Sequence, residues 1–294
     1  MALGLGSGCA GLGRQLQQSP LPPGAPDAAT IVESLAANDE KIQNFRAAGT
    51  FTLQSPKLDA VEKFPTGSIA FRKPDELFVE GRLVVGIPAF RLVSVGSEFL
   101  IEFPRKRNPE ERYFYRLEGE TLESVPFSVS PADVAREMFT PVDWFTYDRD
   151  RIRIVSYDET YQTAMLELGP RRRPERRLTV QGSPWVVVRN ERLDERGEVI
   201  ADTTLSDHHE VDGIRFPAYV DAQFPGEQTR MTFEMRNIRM NTDQVSDDLF
   251  TFKWRPSNVE QSDSDESRGN RGHLKPQALS GEADLPVDPS EAGL

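Results

Sequence analysis

The segment Thr229-Arg-Met-Thr-Phe-Glu-Met-Arg236 alternates apolar or small side chains with polar ones. In an extended chain successive side chains point to opposite faces, so Met231, Phe233 and Met235 share one face and Arg230, Thr232 and Glu234 the other. Such a segment rests only as a strand with one face on a core and the other toward water. The same period of two returns at Phe51 and Leu53, at Ile69 and Phe71, and at Leu77 and Val79. Further strands are predicted at Phe90–Val95, Glu98–Phe103 and Arg112–Leu117. Beyond Asp150 they are predicted at Arg151–Ser156, Thr163–Leu168, Arg177–Gln181, Trp185–Leu193, Val199–Asp207, Arg215–Phe224 and Gln228–Asn237. Gly96-Ser97 reads as a hairpin turn and Arg105–Glu111 as a charged loop.

Helical spacing is confined to two places. Asp27 is a capping residue, and Ile31, Val32, Leu35, Ile42 and Phe45 recur on one helical face up to about Arg46. Ser130 and Pro131 open a second predicted helix, Pro131–Phe139. The expected fold is mainly β with α. It is a single curved antiparallel sheet, an incomplete β-barrel of about 11 strands, covered by helices. Two independent sheets in a sandwich would leave the helices without a role.

Of the 294 residues 37% are hydrophobic and 28% charged, and the formal net charge is −12. That balance argues against a general nucleic-acid binder, which needs an excess of Lys and Arg. No stretch approaches the roughly 18 apolar residues of a membrane-spanning helix. The stretch Pro256–Leu294 holds eight acidic residues against three Lys or Arg, is rich in Ser, Gly and Pro, and reads as a disordered acidic tail. The basic runs Arg171-Arg-Arg-Pro-Glu-Arg-Arg177 and Arg105-Lys-Arg107 read as solvated loops that could orient a domain on an anionic membrane. His208 and His209 are adjacent, so on a strand they point apart and do not share a metal. No phosphate-cradling glycine loop, nucleophile elbow or HExxH pattern is present. No enzyme, cofactor or metal site is expected.

The one cysteine, Cys9, follows Gly6, Ser7 and Gly8, with Leu5 nearby. One cysteine excludes an intrachain disulfide. Small residues before a cysteine match the end of a bacterial lipoprotein signal, in which the cysteine is lipidated and becomes the new N-terminus. The basic start and apolar stretch of such a signal are missing, and Leu5 lies one place too far from the cysteine. Residues 1–27 are therefore expected to be a truncated lipoprotein signal and a tether rich in proline, with Pro20, Pro22, Pro23 and Pro26. The alternative is an ordinary N-terminus with an incidental thiol.

The order helix, about six strands, helix, then meandering strands resembles the LolA/LolB lipoprotein-carrier superfamily over roughly residues 28–254. Four local patterns carry the resemblance. Ile31 to Gln54 looks like the opening helix leading into a strand that begins Gly49-Thr-Phe-Thr52. Phe71-Arg-Lys-Pro-Asp-Glu-Leu77 looks like a strand–turn–strand corner. Asp207-His-His-Glu-Val-Asp-Gly-Ile-Arg-Phe-Pro217 resembles a hairpin with an Asp-Gly turn, and Asn241–Phe252 resembles the closing stretch. The family fold implies an apolar half-barrel cavity for acyl chains in a lipid-binding domain over 28–255.

Candidates for the wall of that cavity are Phe51, Leu53, Ile69, Phe71, Leu77, Val79, Phe99, Ile101, Met231, Phe233 and Met235. An acyl chain offers no hydrogen bonds, so its wall must be apolar and pliable, which methionine suits. Burying about 14 methylenes at about 0.8 kcal/mol each is worth on the order of 11 kcal/mol. The same residues could equally fill a solid core. The resemblance implies a monomeric, membrane-anchored lipoprotein facing the periplasm. Its partners would be lipid or lipoprotein acyl chains and a membrane reached through lipidated Cys9, in lipoprotein sorting or outer-membrane lipid handling. A sensor of the RseB type, using the same fold to bind a protein partner, is the alternative.

Overall fold

The computed structural model describes residues 21–56, 61–84, 87–96, 98–108, 112–117 and 151–253. One α-helix, α1 (Ala28–Asp39), precedes a first run of strands: β1 (Asn44–Gln54), β2 (Glu62–Arg72), β3 (Glu76–Val84), β4 (Ile87–Val95), β5 (Glu98–Glu102) and β6 (Tyr113–Leu117). A second run follows: β7 (Ile152–Asp158), β8 (Thr163–Leu168), β9 (Arg176–Gln181), β10 (Val186–Leu193), β11 (Val199–Val211), β12 (Ile214–Phe224) and β13 (Thr229–Met240). All thirteen lie in one sheet, in the order β6-β5-β4-β3-β2-β1-β13-β12-β11-β10-β9-β8-β7. Every pairing is antiparallel, and all but β1 with β13 join strands consecutive in sequence. The sheet is not closed into a barrel. The thirteen strands coincide with the segments predicted from alternation, two more than the overall count of about 11. The predicted helix at Pro131–Phe139 lies outside the described residues, as do Cys9 and the acidic tail.

The helix α1 ends earlier than its spacing predicts. The Glu40 N–H closes onto Ala36 and the Ile42 N–H onto Asp39, at 2.8 and 2.9 Å, which ends the helix in a turn. Asn241 then holds the chain: its side chain accepts from the Gln43 N–H at 2.8 Å and donates to the Lys41 carbonyl at 2.8 Å. Ile42 therefore sits in the turn, and Phe45 belongs to β1, where it alternates with Ala47 on the buried face. Asp27 occupies the N-cap with extended backbone, yet its side chain makes no capping bond.

Contacts of α1 reveal the curvature of the sheet. The helix lies against both β12 and β7, which are five places apart in the strand order. Laid flat, that separation would be about 24 Å at about 4.8 Å per strand, wider than a helix of about 10 Å. The sheet therefore curls around α1. Asn38 exchanges two hydrogen bonds with the Arg215 backbone (2.9 and 2.8 Å), and Lys41 donates to the Gly213 carbonyl at 3.2 Å. Ile31 and Leu35 are turned into the core.

One apolar cluster fills the inner face from Phe99 and Ile101 on β5 to Ile152 on β7. A smaller cluster lies on the outer face, where Val245 and Phe250 cover Ala70 and Val93. Residues 241–253 thus form a strap that leaves β13 and crosses behind β2 to β6. Arg72 anchors it, with one guanidinium nitrogen 2.6 Å from Asp247 and its carbon 4.8 Å over the Phe250 ring. Phe252 meets the Tyr115 ring edge-on at 6.0 Å. Asp212 and Gly213, both at positive φ (52° and 74°), make the tight turn between β11 and β12 that an Asp-Gly pair favours.

Candidate functional site

All eleven candidate wall residues lie on the inner face, and none is more than 6% exposed. Register explains the grouping. Phe51 stands opposite Phe233 and Leu53 opposite Met231; Ile69 stands opposite Val79, Phe71 opposite Leu77. Gly49 stands opposite Met235, and there the two backbones approach so closely that a Cβ would lie 2.0 Å from the Glu234 carbonyl oxygen. Only glycine fits that crossing.

The centre of this face is aromatic. The Phe51 ring lies 4.6 Å from Phe233, 5.5 Å from Phe64 and 5.5 Å from Phe90, and Phe64 meets Phe90 edge-on at 4.9 Å. The rings of Phe64 and Phe90 fold over Gly81, where a Cβ would lie 2.3 Å from Phe90 Cε1. Beside them a void of about 10 Å³ adjoins Phe51, Ile69, Val79, Phe233 and Met235, and also Ser68, Glu80 and Glu234 of the outer face. That is about the space of one water. The protein's own side chains fill this part of the interior, and none of the eleven titrates. Chemically the face offers dispersion and burial of apolar surface.

A second feature, missed by pattern reading, lies on the outer face of the same strands. Between the sheet and the strap is a groove of about 230 Å³. Phe78, Val93, Leu100 and Leu249 form its apolar lining, and Arg46, Glu80, Arg82, Arg91, Glu102, Asp248 and Lys253 its charged lining. A row of charges crosses it from strand to strand, because Glu80 stands opposite Arg91 and Arg91 opposite Glu102. Glu80 accepts from Arg82 Nε at 2.6 Å and Arg91 Nε at 2.7 Å, and Glu102 accepts from Arg112 Nη2 at 2.7 Å. Burial pushes the Glu80 carboxyl up, but the hydrogen bonds from Arg91 and Arg82 outweigh it and hold it below the ordinary carboxylate value. The available signal was the like spacing of Glu80, Arg91 and Glu102 on polar-face positions; the strap that covers them lies more than a hundred residues downstream.

The basic runs divide between environments. Arg171, Arg172 and Arg173 are exposed in the turn between β8 and β9, as are Arg105, Lys106 and Arg107 after β5. Arg176 instead faces inward, donating to Asn190 Oδ1 at 2.7 Å, and Arg177 faces outward between Glu167 and Glu191. His208 is half-buried and His209 exposed, on opposite faces of β11. Burial holds His208 below its ordinary value, opposed by a hydrogen bond to the Val187 backbone. Among the described residues no three His, Cys, Asp or Glu side chains gather as metal ligands, and no helix is long and apolar enough to cross a membrane.

No protein-family model and no curated protein matches the sequence. Solved structures do resemble the fold. A DUF1329 family protein from Desulfovibrio piger aligns over 76% of this chain and 95% of its own, with 14% identity and a TM-score of 0.50. A LolA superfamily protein from Nitrosomonas europaea aligns over 78% of this chain and 99% of its own, with 14% identity and a TM-score of 0.49. At such identity the likeness is one of fold. The single curved, open antiparallel sheet expected from the sequence is the fold observed, and it resembles that of the DUF1329 family protein.

Proposed function

We propose that this chain binds the acyl chains of lipids or lipoproteins on the inner face of its curled sheet, as a bacterial envelope lipoprotein held to a membrane through Cys9. The observation that carries the reading is the extended apolar cluster along a sheet that is left open. Met231, Met235 and Met240 supply side chains that can repack around an apolar guest. Because the Phe51, Phe64, Phe90 and Phe233 rings occupy the interior, the guest enters by displacing them.

The reading is tested on the purified full chain with native mass spectrometry and a fluorescent long-chain fatty acid. Co-purifying lipid and saturable binding are expected, with Phe90→Ala increasing uptake by removing the ring over Gly81. A second arm follows radiolabelled palmitate in bacterial cells, where Cys9→Ser should abolish labelling and membrane association. Absence of bound lipid, together with an unchanged melting temperature in excess fatty acid, would refute the acyl-binding reading.

A further inference from the structure

We infer that the outer-face groove beneath the strap is a second binding site, for a small amphiphile bearing a single carboxylate. It is distinct from the inner face, from which the sheet itself separates it.

Charge bookkeeping within the groove points to the ligand's sign. Its lining holds four cations, Arg46, Arg82, Arg91 and Lys253, against three carboxylates, Glu80, Glu102 and Asp248. Arg82 and Arg91 are committed to Glu80. Arg46 is not: among the described residues its guanidinium makes one hydrogen bond, at 3.2 Å to the Gln244 carbonyl, and no ion pair. Its cross-strand neighbours are Arg239 on β13 and Ala70 on β2, neither of them an acid. Lys253 likewise has no ion pair among the described residues. One negative charge balances the excess, and a guanidinium with open N–H groups suits a carboxylate.

The rest of the groove gives the ligand's body. Phe78, Val93, Leu100 and Leu249 present apolar surface next to these cations. A volume of about 230 Å³ exceeds the roughly 150 Å³ of an apolar cavity that holds benzene. That accommodates a short carboxylate such as hexanoate, with its chain on the apolar wall and its headgroup toward Arg46 and Lys253. It does not accommodate a diacyl lipid.

The test titrates the full chain with hexanoate, hexanol and hexylamine by calorimetry, and follows methyl signals by NMR. Hexanoate should bind about tenfold or more tightly than hexanol, reflecting the charge-assisted hydrogen bonds, and hexylamine should not bind. Methyl signals of Leu100 and Leu249 should shift while those of Leu53 and Ile69 stay in place. Arg46→Gln and Lys253→Gln should each weaken hexanoate severalfold, whereas Arg171→Gln, which removes the same charge from an exposed turn, should leave it unchanged. Lys253 is exposed, so its variant keeps the fold even if Arg46→Gln does not. Equal binding of hexanoate and hexanol, retention of affinity within twofold in both variants, or shifts confined to Leu53 and Ile69 would overturn the assignment.

Discussion

The two wings of the sheet, β1 to β6 and β7 to β12, solve the same problem with different covers. Each carries a row of alternating charges on its outer face. In the second wing the row runs Arg153–Glu167 (2.6 Å), Glu167–Arg177 (3.6 Å), Arg177–Glu191 (3.5 Å), Glu191–Arg189 (3.2 Å) and Arg189–Asp202 (2.7 Å). Among the described residues no strap covers it. In the first wing the row from Arg82 through Glu80, Arg91 and Glu102 to Arg112 borders a groove roofed by the C-terminal strap. Their inner faces differ as well. The first wing is packed with phenylalanines, while β8 and β9 of the second offer Ala164, Leu166, Leu168, Leu178 and Val180. Side-chain pattern thus sets which face of a strand is inner, whereas a remote segment decides whether the outer face is also enclosed.

Breaking the aromatic wing should cost most. Phe71→Ala, at a site with no solvent exposure, is expected to lower stability by about 4 kcal/mol in urea unfolding. Removing the strap's apolar contact comes next. Phe250→Ala should cost about 3 kcal/mol, toward the lower end for a buried phenylalanine because the strap can settle. Its signature is faster amide exchange along the strap with exchange in β9 and β10 unchanged.

The smallest effects separate the two charge rows. Glu80→Gln should cost about 2 kcal/mol, between the buried and exposed limits for ion pairs, and Glu167→Gln less than about 1. The Glu80 contribution depends on pH with a definite sign. Its folded carboxyl titrates below the ordinary 4.5, so the unfolded chain binds the proton more readily. The stabilisation is complete above that value and is lost as pH falls through the lower folded one. Stability of wild type and Glu80→Gln, compared by urea midpoint, should therefore converge in acid and diverge toward neutrality.

Much of the inner face was legible because strand alternation is a local signal. Met231, Phe233 and Met235 announced their common face, and Asp212-Gly213 announced its turn. The outer face was not legible in the same way. Ile69, Ala70 and Phe71 are all buried, as are Leu92, Val93 and Ser94, because the strap covers what alternation assigns to water. The end of α1 was misplaced for a related reason: Phe45 satisfies helical spacing from Ile31 as well as strand spacing to Ala47. Asn241, far away in sequence, settles the choice by gripping Lys41 and Gln43. The groove was invisible because its two sides meet only in the folded chain.

The place of β13 has a consequence for how the molecule assembles. It pairs with β12, its immediate predecessor, and with β1, where Thr232 and Thr52 share a hydrogen bond 180 residues apart. Each wing is a meander of neighbours, but the seam between them waits for β13, the last of the described strands, to be synthesised. Until then β1 presents an unpaired edge of eleven residues, a template for pairing with other chains. The slowest contact to form is thus the one that joins the halves, and a nascent chain ending before Thr229 has its greatest exposure to misassembly along β1.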